Sequence, residues 1–308
     1  MEATEIILGI VMLLQISIGV LVNVFFLLFY SHMVSISHRT SSSDLILLHL
    51  TLANTLILLT SGIPQTMSVW GQRKFLNIFS CKILIYLYRV ARGIALCTTC
   101  LLSVFQAISI SPSTSWWAGV KAKLPKFILI SCLLFWPFNM LIYVSIPMYI
   151  TGPQNSSSVR IPLDLNYCST VSSGVFGDIV IAVVLSLRDL FFVGVMSVAN
   201  GCMVFVLHQH HRHVQYLHGS SHSPRKMPEV RAAKRVIVLV MLYILIFVMH
   251  SIMLSILLNN KENYPLLVNS HMVLSFTFSA ISPFLMIHSD QRMRKFWKNK
   301  SVSSTDPS

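Results

Sequence analysis

Residues 83–108 read ILIYLYRVARGIALCTTCLLSVFQAI. At a rise of about 1.5 Å per residue, a helix of this length crosses the roughly 30 Å hydrocarbon core of a bilayer. No face of it is polar enough to meet water, yet it carries Arg89 and Arg92 near its middle. A soluble helix places its charges on one outward stripe. This one embeds two guanidinium groups among apolar neighbours, which marks a membrane span turned toward other helices.

Working outward, six further segments have the same character: residues 6–29, 45–62, 127–146, 180–207, 236–258 and 266–287. The last is interrupted only by small polar residues and His271. Composition agrees, with 54% hydrophobic and only 11% charged residues. Soluble domains carry about 25% charged residues, so lipid must be the main solvent. The first apolar run follows Glu2 and Glu5 rather than basic residues and is too long for a cleaved leader, so it reads as a span. The reading is an all-α, seven-transmembrane helix bundle forming one domain, residues 1–308, with a short tail at 288–308.

The net charge of +13 would suit a nucleic-acid binder, but its distribution favours topology. With the N-terminus outside, the inner loops and tail collect Arg39, Lys121, Lys123, Lys126, Arg212, Arg225, Lys226, Arg231, Lys234 and Arg235, then Arg292, Arg294, Lys295, Lys298 and Lys300. The outer loops hold only Arg73, Lys74, Arg160 and Lys261. The positive-inside rule then predicts an extracellular N-terminus and a cytoplasmic C-terminus. In that frame Cys81, at the outer start of span three, and Cys168, in the second outer loop, share the oxidising side, where a bridge would tie loop to bundle. The acceptor pattern Asn155-Ser156-Ser157 becomes usable for glycosylation, and Asn299-Lys300-Ser301 silent.

Several strings now resemble one family, the vomeronasal type 1 receptors, a rhodopsin-like branch of pheromone receptors. They are Gly62-Ile63-Pro64-Gln65-Thr66-Met67, Tyr88-Arg89-Val90-Ala91-Arg92-Gly93 and Thr98-Thr99-Cys100-Leu101-Leu102-Ser103-Val104-Phe105-Gln106-Ala107-Ile108. Others are Pro147-Met148-Tyr149, Arg188-Asp189-Leu190-Phe191-Phe192-Val193-Gly194, Ser223-Pro224-Arg225 and Ser282-Pro283-Phe284. Asn23, Trp136 and the Cys81/Cys168 pair resemble wider superfamily positions. Departures are equally clear: Phe105-Gln106-Ala107 stands where Asp-Arg-Tyr is usual, Ser282-Pro283 replaces Asn-Pro, and Asn54 replaces a span-two carboxylate. Residues 243–253 hold no Trp-x-Pro. The resemblance implies a multi-pass plasma-membrane receptor for a small pheromone-like ligand, coupled to an inhibitory-class heterotrimeric G protein, with membrane lipid as its other partner.

Arg89 and Arg92, on one helical face by their spacing, lie about 12 and 16 Å below Cys81 along the helix axis. They admit two readings: contacts for an anionic or acceptor-rich ligand, or an ordered polar network between helices. Tyr86 and Tyr88 admit pocket lining or helix packing. Arg188 and Asp189 sit near the outer boundary of span five. Neighbouring helical side chains diverge, so Arg188 is expected to snorkel to headgroups and Asp189 to pair with Lys82 or line the pocket mouth. Gln106, Lys121, Lys123, Arg231 and Arg235 are the candidates for a G protein-facing surface.

His208, His210, His211 and His213 lack a cysteine or carboxylate to complete a metal site, so neither metal nor cofactor is expected. A membrane enzyme would need a nucleophile, an acid–base pair or a metal cluster, and no His-rich or carboxylate-rich motif falls within the spans, which argues against an enzyme. A transporter would show paired, broken helices. The nearest alternative receptor is a bitter-taste-type chemosensory receptor, which the cysteine pair and the span-three string disfavour.

Overall fold

The computed structural model describes residues 3–36, 41–72, 75–111, 115–151, 168–170, 175–217, 228–259 and 265–287. Span one is α1 (Ala3–Ile36); span two is α2 (Ser42–Ile57), a π-helical turn (Leu58–Gly62) and α3 (Ile63–Val69). Span three is α4 (Ile78–Ile110), span four α5 (Ser115–Ile142) and span five α6 (Val175–Leu217). Spans six and seven are α7 (Pro228–Asn259) and α8 (Pro265–Ile287). Among the described residues, six of these helices are long and apolar enough to cross a membrane. The 23 residues of α8 add a seventh of about 34 Å.

The helices overrun the apolar segments. Residues 208–217 continue α6, residues 228–235 begin α7, and Lys121, Lys123 and Lys126 ride on α5. Elongating a formed helix is far easier than starting one, so the ladder runs past the hydrocarbon into polar surroundings.

Span two shows how a sequence shapes its own span. Pro64 has no N–H to return to the carbonyl of Thr60. The chain widens one turn beforehand, and the Ile63 amide bonds Leu58 O instead. Threonine hydroxyls serve nearby carbonyls, Thr60 to Leu56 O at 2.6 Å and Thr66 to Gly62 O at 2.9 Å. The helix ends at Gly71, whose φ of 84° is a left-handed stop. Its amide bonds Ser68 O and that of Gln72 bonds Met67 O, the paired bonds of a Schellman cap.

Span three is the axis of the bundle. Residues 93–103 are buried on every side, because spans two, four, five and six all pack around it. Spans one and five instead expose broad apolar surface, with Leu21 at 71% and Phe176 at 82%. Lipid, not water, suits such faces. At one end Cys81 bonds Cys168 across a separation of 87 residues, beside a two-residue antiparallel ladder of β1 (Ile150–Thr151) and β2 (Ser169–Thr170). The sequence-predicted bridge is present. That end is called the disulfide end below. Asn155, the tail 288–308 and the third-loop stretch 218–227 lie outside the described residues.

The superfamily-like positions and the altered ones alike form real contacts. Pro283 cannot donate to the carbonyl of Ser279, and Asn23 of span one does so at 2.9 Å. The same amide reaches Gly19 O at 2.8 Å. Asn54 donates to Ser282 Oγ at 2.9 Å, joining spans two and seven without a carboxylate. Trp136 Nε1 donates to His49 Nδ1 at 3.2 Å, pinning span four to span two.

Candidate functional site

Arg92 and Gly93 are neighbours on span three, and each begins a separate polar cluster. The guanidinium of Arg92 donates to Nε2 of His250 on span six at 3.1 Å. Arginine has no lone pair to offer, so Nε2 is the acceptor and Nδ1 carries the ring proton. His250 in turn stacks on His271 of span seven, with centroids 4.2 Å apart and planes 26° apart. Both histidines are buried, and His250 Nδ1 and His271 Nε2 have no hydrogen-bond partner among the described residues. Arg92, His250 and His271 thus form a chain across spans three, six and seven, about 16 Å below Cys81 along span three. Beside it lies a cavity of ≈ 40 Å³, lined among others by Arg92, Tyr243, His250 and Ser275.

Gly93 opens the second cluster by having no side chain. A Cβ there would lie 2.0 Å from Asn139 Oδ1 and 3.1 Å from Arg188 Nη1. The gap lets Asn139 of span four sit fully buried against span three, its amide donating to Phe135 O at 2.8 Å and contacting Cys97 Sγ at 3.8 Å. Arg188 of span five reaches in, donating to Asn139 Oδ1 at 3.1 Å and lying over the Tyr143 ring at 5.1 Å.

Here the structure corrects two sequence expectations. Arg188 does not snorkel to headgroups; its side chain is 9% exposed and points into the bundle. It is also paired with its neighbour, Nε donating to Asp189 Oδ1 at 3.0 Å. Adjacent side chains leave a helix in different directions, but the long guanidinium stem folds across that angle. With little water available, a carboxylate one residue away is its best counter-charge.

The other anticipated residues divide by role. Tyr86 Oη donates to Met140 O at 3.1 Å, holding span three against span four. Tyr88 packs half-buried at the edge of the core. Arg89 is half-buried and makes no side-chain hydrogen bond or ion pair among the described residues. At the far end, Gln106 is half-buried and Lys123 exposed, while Lys121 Nζ donates to the carbonyls of Ser109 and Ser111 at 3.4 and 2.8 Å. Lys121 therefore caps the open end of span three. The side chains of Arg231 and Arg235 lie outside the described residues.

Sequence reasoning missed His250, His271, Asn139 and Gly93. A usable signal existed for the first two, since any ionisable group inside a span is presumed to face other helices. For Gly93 and Asn139 there was none, because their meaning lies in one another.

A bundle bridged at one end, centred on span three and polar in its depth matches one family over nearly its whole length. The profile of the vomeronasal organ pheromone receptor family covers residues 6–299. The chain belongs to that family. It is 38% identical to vomeronasal type-1 receptor 4 of Homo sapiens over 289 residues, 92% of this chain and 95% of that protein. It is 36% identical to human vomeronasal type-1 receptor 3 over 95% of this chain and 94% of that one. With olfactory receptor class A-like protein 1 of Danio rerio it shares 34% identity over 93% and 90%. This vomeronasal-family chain is accordingly a multi-pass membrane receptor; the relatives are named receptors, not enzymes.

Proposed function

We propose that this vomeronasal-family chain is a single receptor domain, residues 1–308, with its disulfide end outside the cell. A small pheromone-like ligand enters there, and an inhibitory-class heterotrimeric G protein docks at the opposite, basic end, around Gln106, Lys123, Arg231 and Arg235. The observation that carries this reading is the Arg92–His250–His271 chain, which bridges spans three, six and seven deep in the bundle. A cavity of ≈ 40 Å³ beside it has room for only a few waters. Ligand sites occupy about 300–1,000 Å³, so binding at this cavity goes with parting of the spans.

An acceptor-bearing ligand would take the Arg92 guanidinium from His250 and weaken the tie between spans three and six. The ligand then favours the packing in which those spans are apart, and receptor activation is that shift in population. Arg89, without a partner of its own among the described residues, is the second cation such a ligand meets. Tyr88 and the Arg188–Asp189 pair border the same level, and Tyr86 holds the wall.

Two results test the reading. Cells expressing the chain are screened by calcium imaging against steroid and volatile compounds, and the active compounds retested on Arg92→Gln and Arg89→Gln at matched surface expression. A charged hydrogen bond is worth about 1.5–3 kcal/mol, so potency should fall roughly tenfold or more for Arg92→Gln. Unchanged potency for every active compound would remove Arg92 from the ligand site. Orientation is tested by glycosidase digestion: Asn155 should carry the glycan, and a glycan on Asn299 would reverse the topology.

A further inference from the structure

A second concavity, of ≈ 1010 Å³, lies on the outside of the bundle between the last turns of span three and the lower half of span five. Its wall on span five includes one continuous stripe: Gly194, Val198, Cys202, Phe205 and Gln209 follow one another at intervals of three or four. A Cβ on Gly194 would meet nothing within 4 Å, so the trough is open where the glycine stands. From Gly194 to Gln209 it runs about 22 Å, more than the ~15 Å hydrocarbon depth of one leaflet.

The trough is apolar along its length and polar only at the end far from the disulfide, where Ser111 and Gln209 close it. Two cations neighbour the residues that close that end. Lys121 Nζ lies 2.8 Å from the carbonyl of Ser111, and its two carbonyl bonds leave one of three ammonium protons to offer. Arg212, exposed and three residues past Gln209, continues the stripe by one turn. Apolar walls alone do not select among lipids, since every acyl chain is equally apolar. Cations beside one mouth do select.

We propose that this trough is a binding site for an anionic phospholipid, with an acyl chain along span five and the headgroup phosphate between Arg212 and Lys121. In the orientation proposed above the headgroup belongs to the cytoplasmic leaflet, where anionic lipids are concentrated. The site adjoins the surface assigned to the G protein and is separate from the Arg92 cluster.

The full-length chain is placed in nanodiscs of phosphatidylcholine with or without phosphatidylserine, and retained lipid is counted by native mass spectrometry. Wild type should retain phosphatidylserine in preference to phosphatidylcholine. Arg212→Gln should weaken that preference about five-fold, the contribution of one basic residue at an anionic surface. Gly194→Leu, whose side chain enters open space, should lower retention of both lipids. Equal retention of the two lipids by wild type, or an Arg212→Gln variant indistinguishable from it, overturns the proposal. Cys202 is exposed in the trough while Cys97, Cys100 and Cys132 are buried. Efficient cross-linking between copies through Cys202 would therefore assign the trough to a second copy of the chain and sink the lipid reading.

Discussion

Replacing Gly93 by leucine should abolish folded receptor at the cell surface. The first atom of any side chain there would come 2.0 Å from the Asn139 amide oxygen. That oxygen cannot simply swing away, because Asn139 is fully buried and its amide nitrogen is held by Phe135 O. Moving it breaks the bond from Arg188 and leaves a buried guanidinium short of an acceptor. Loss of a charged hydrogen bond costs about 1.5–3 kcal/mol, and overpacking adds about 1–3 kcal/mol. The sum is a large part of the stability of an ordinary domain. Thermal unfolding in detergent and surface labelling on intact cells both read it. The milder Gly93→Ala should be intermediate, and it should cost less when Asn139 is also alanine, because the clash and the bond are then both absent. Wild-type melting of Gly93→Leu would refute the close approach of spans three and four.

Loss of the Cys81–Cys168 bridge should be comparably severe. It closes a loop of 87 residues that includes spans three and four. Chain entropy puts the stabilisation from closing so long a loop at about 4–5 kcal/mol. Both cysteines are fully buried, in a small cluster with Ile85 and Ile150, so serine at either position also leaves a polar group in apolar surroundings. Cys81→Ser, Cys168→Ser and the double variant should lose surface receptor to similar extents, since each removes the same bond. A double variant much less damaged than either single one would point to mispairing of the freed cysteine rather than to lost closure. Retention of full surface expression and melting temperature by the double variant would contradict the structural role assigned to the bridge.

These two predictions also show where sequence reading was strong and where it failed. The disulfide was legible because topology put two cysteines in one oxidising compartment and left the others within the spans. Arg92 was legible as an inward-facing group because a charge in a span has few tolerable positions. Its partner was not. His250 and His271 are more than 150 residues away, and only the helix packing brings them within reach. Arg188 was misread for a related reason. Its depth and direction depend on the gap left by Gly93, and a sequence offers no view of gaps. Lys121, anticipated at the G protein-facing surface, also caps the carbonyls of span three, a contact set by where α5 begins.

The amino-acid sequence by itself determined the solvent, the number of spans, the bridge and the family. Each follows from local runs of residues, because a bilayer demands about 20 apolar residues per crossing and a fully bonded backbone. Only the tertiary structure decided which buried polar groups meet: Arg92 with His250, Asn139 with Arg188, Asn54 with Ser282. Apolar burial in lipid is nearly blind to partner, so helix pairing rests on close packing and a few hydrogen bonds. Those depend on the rotation and depth of each helix against its neighbours, which no single span encodes.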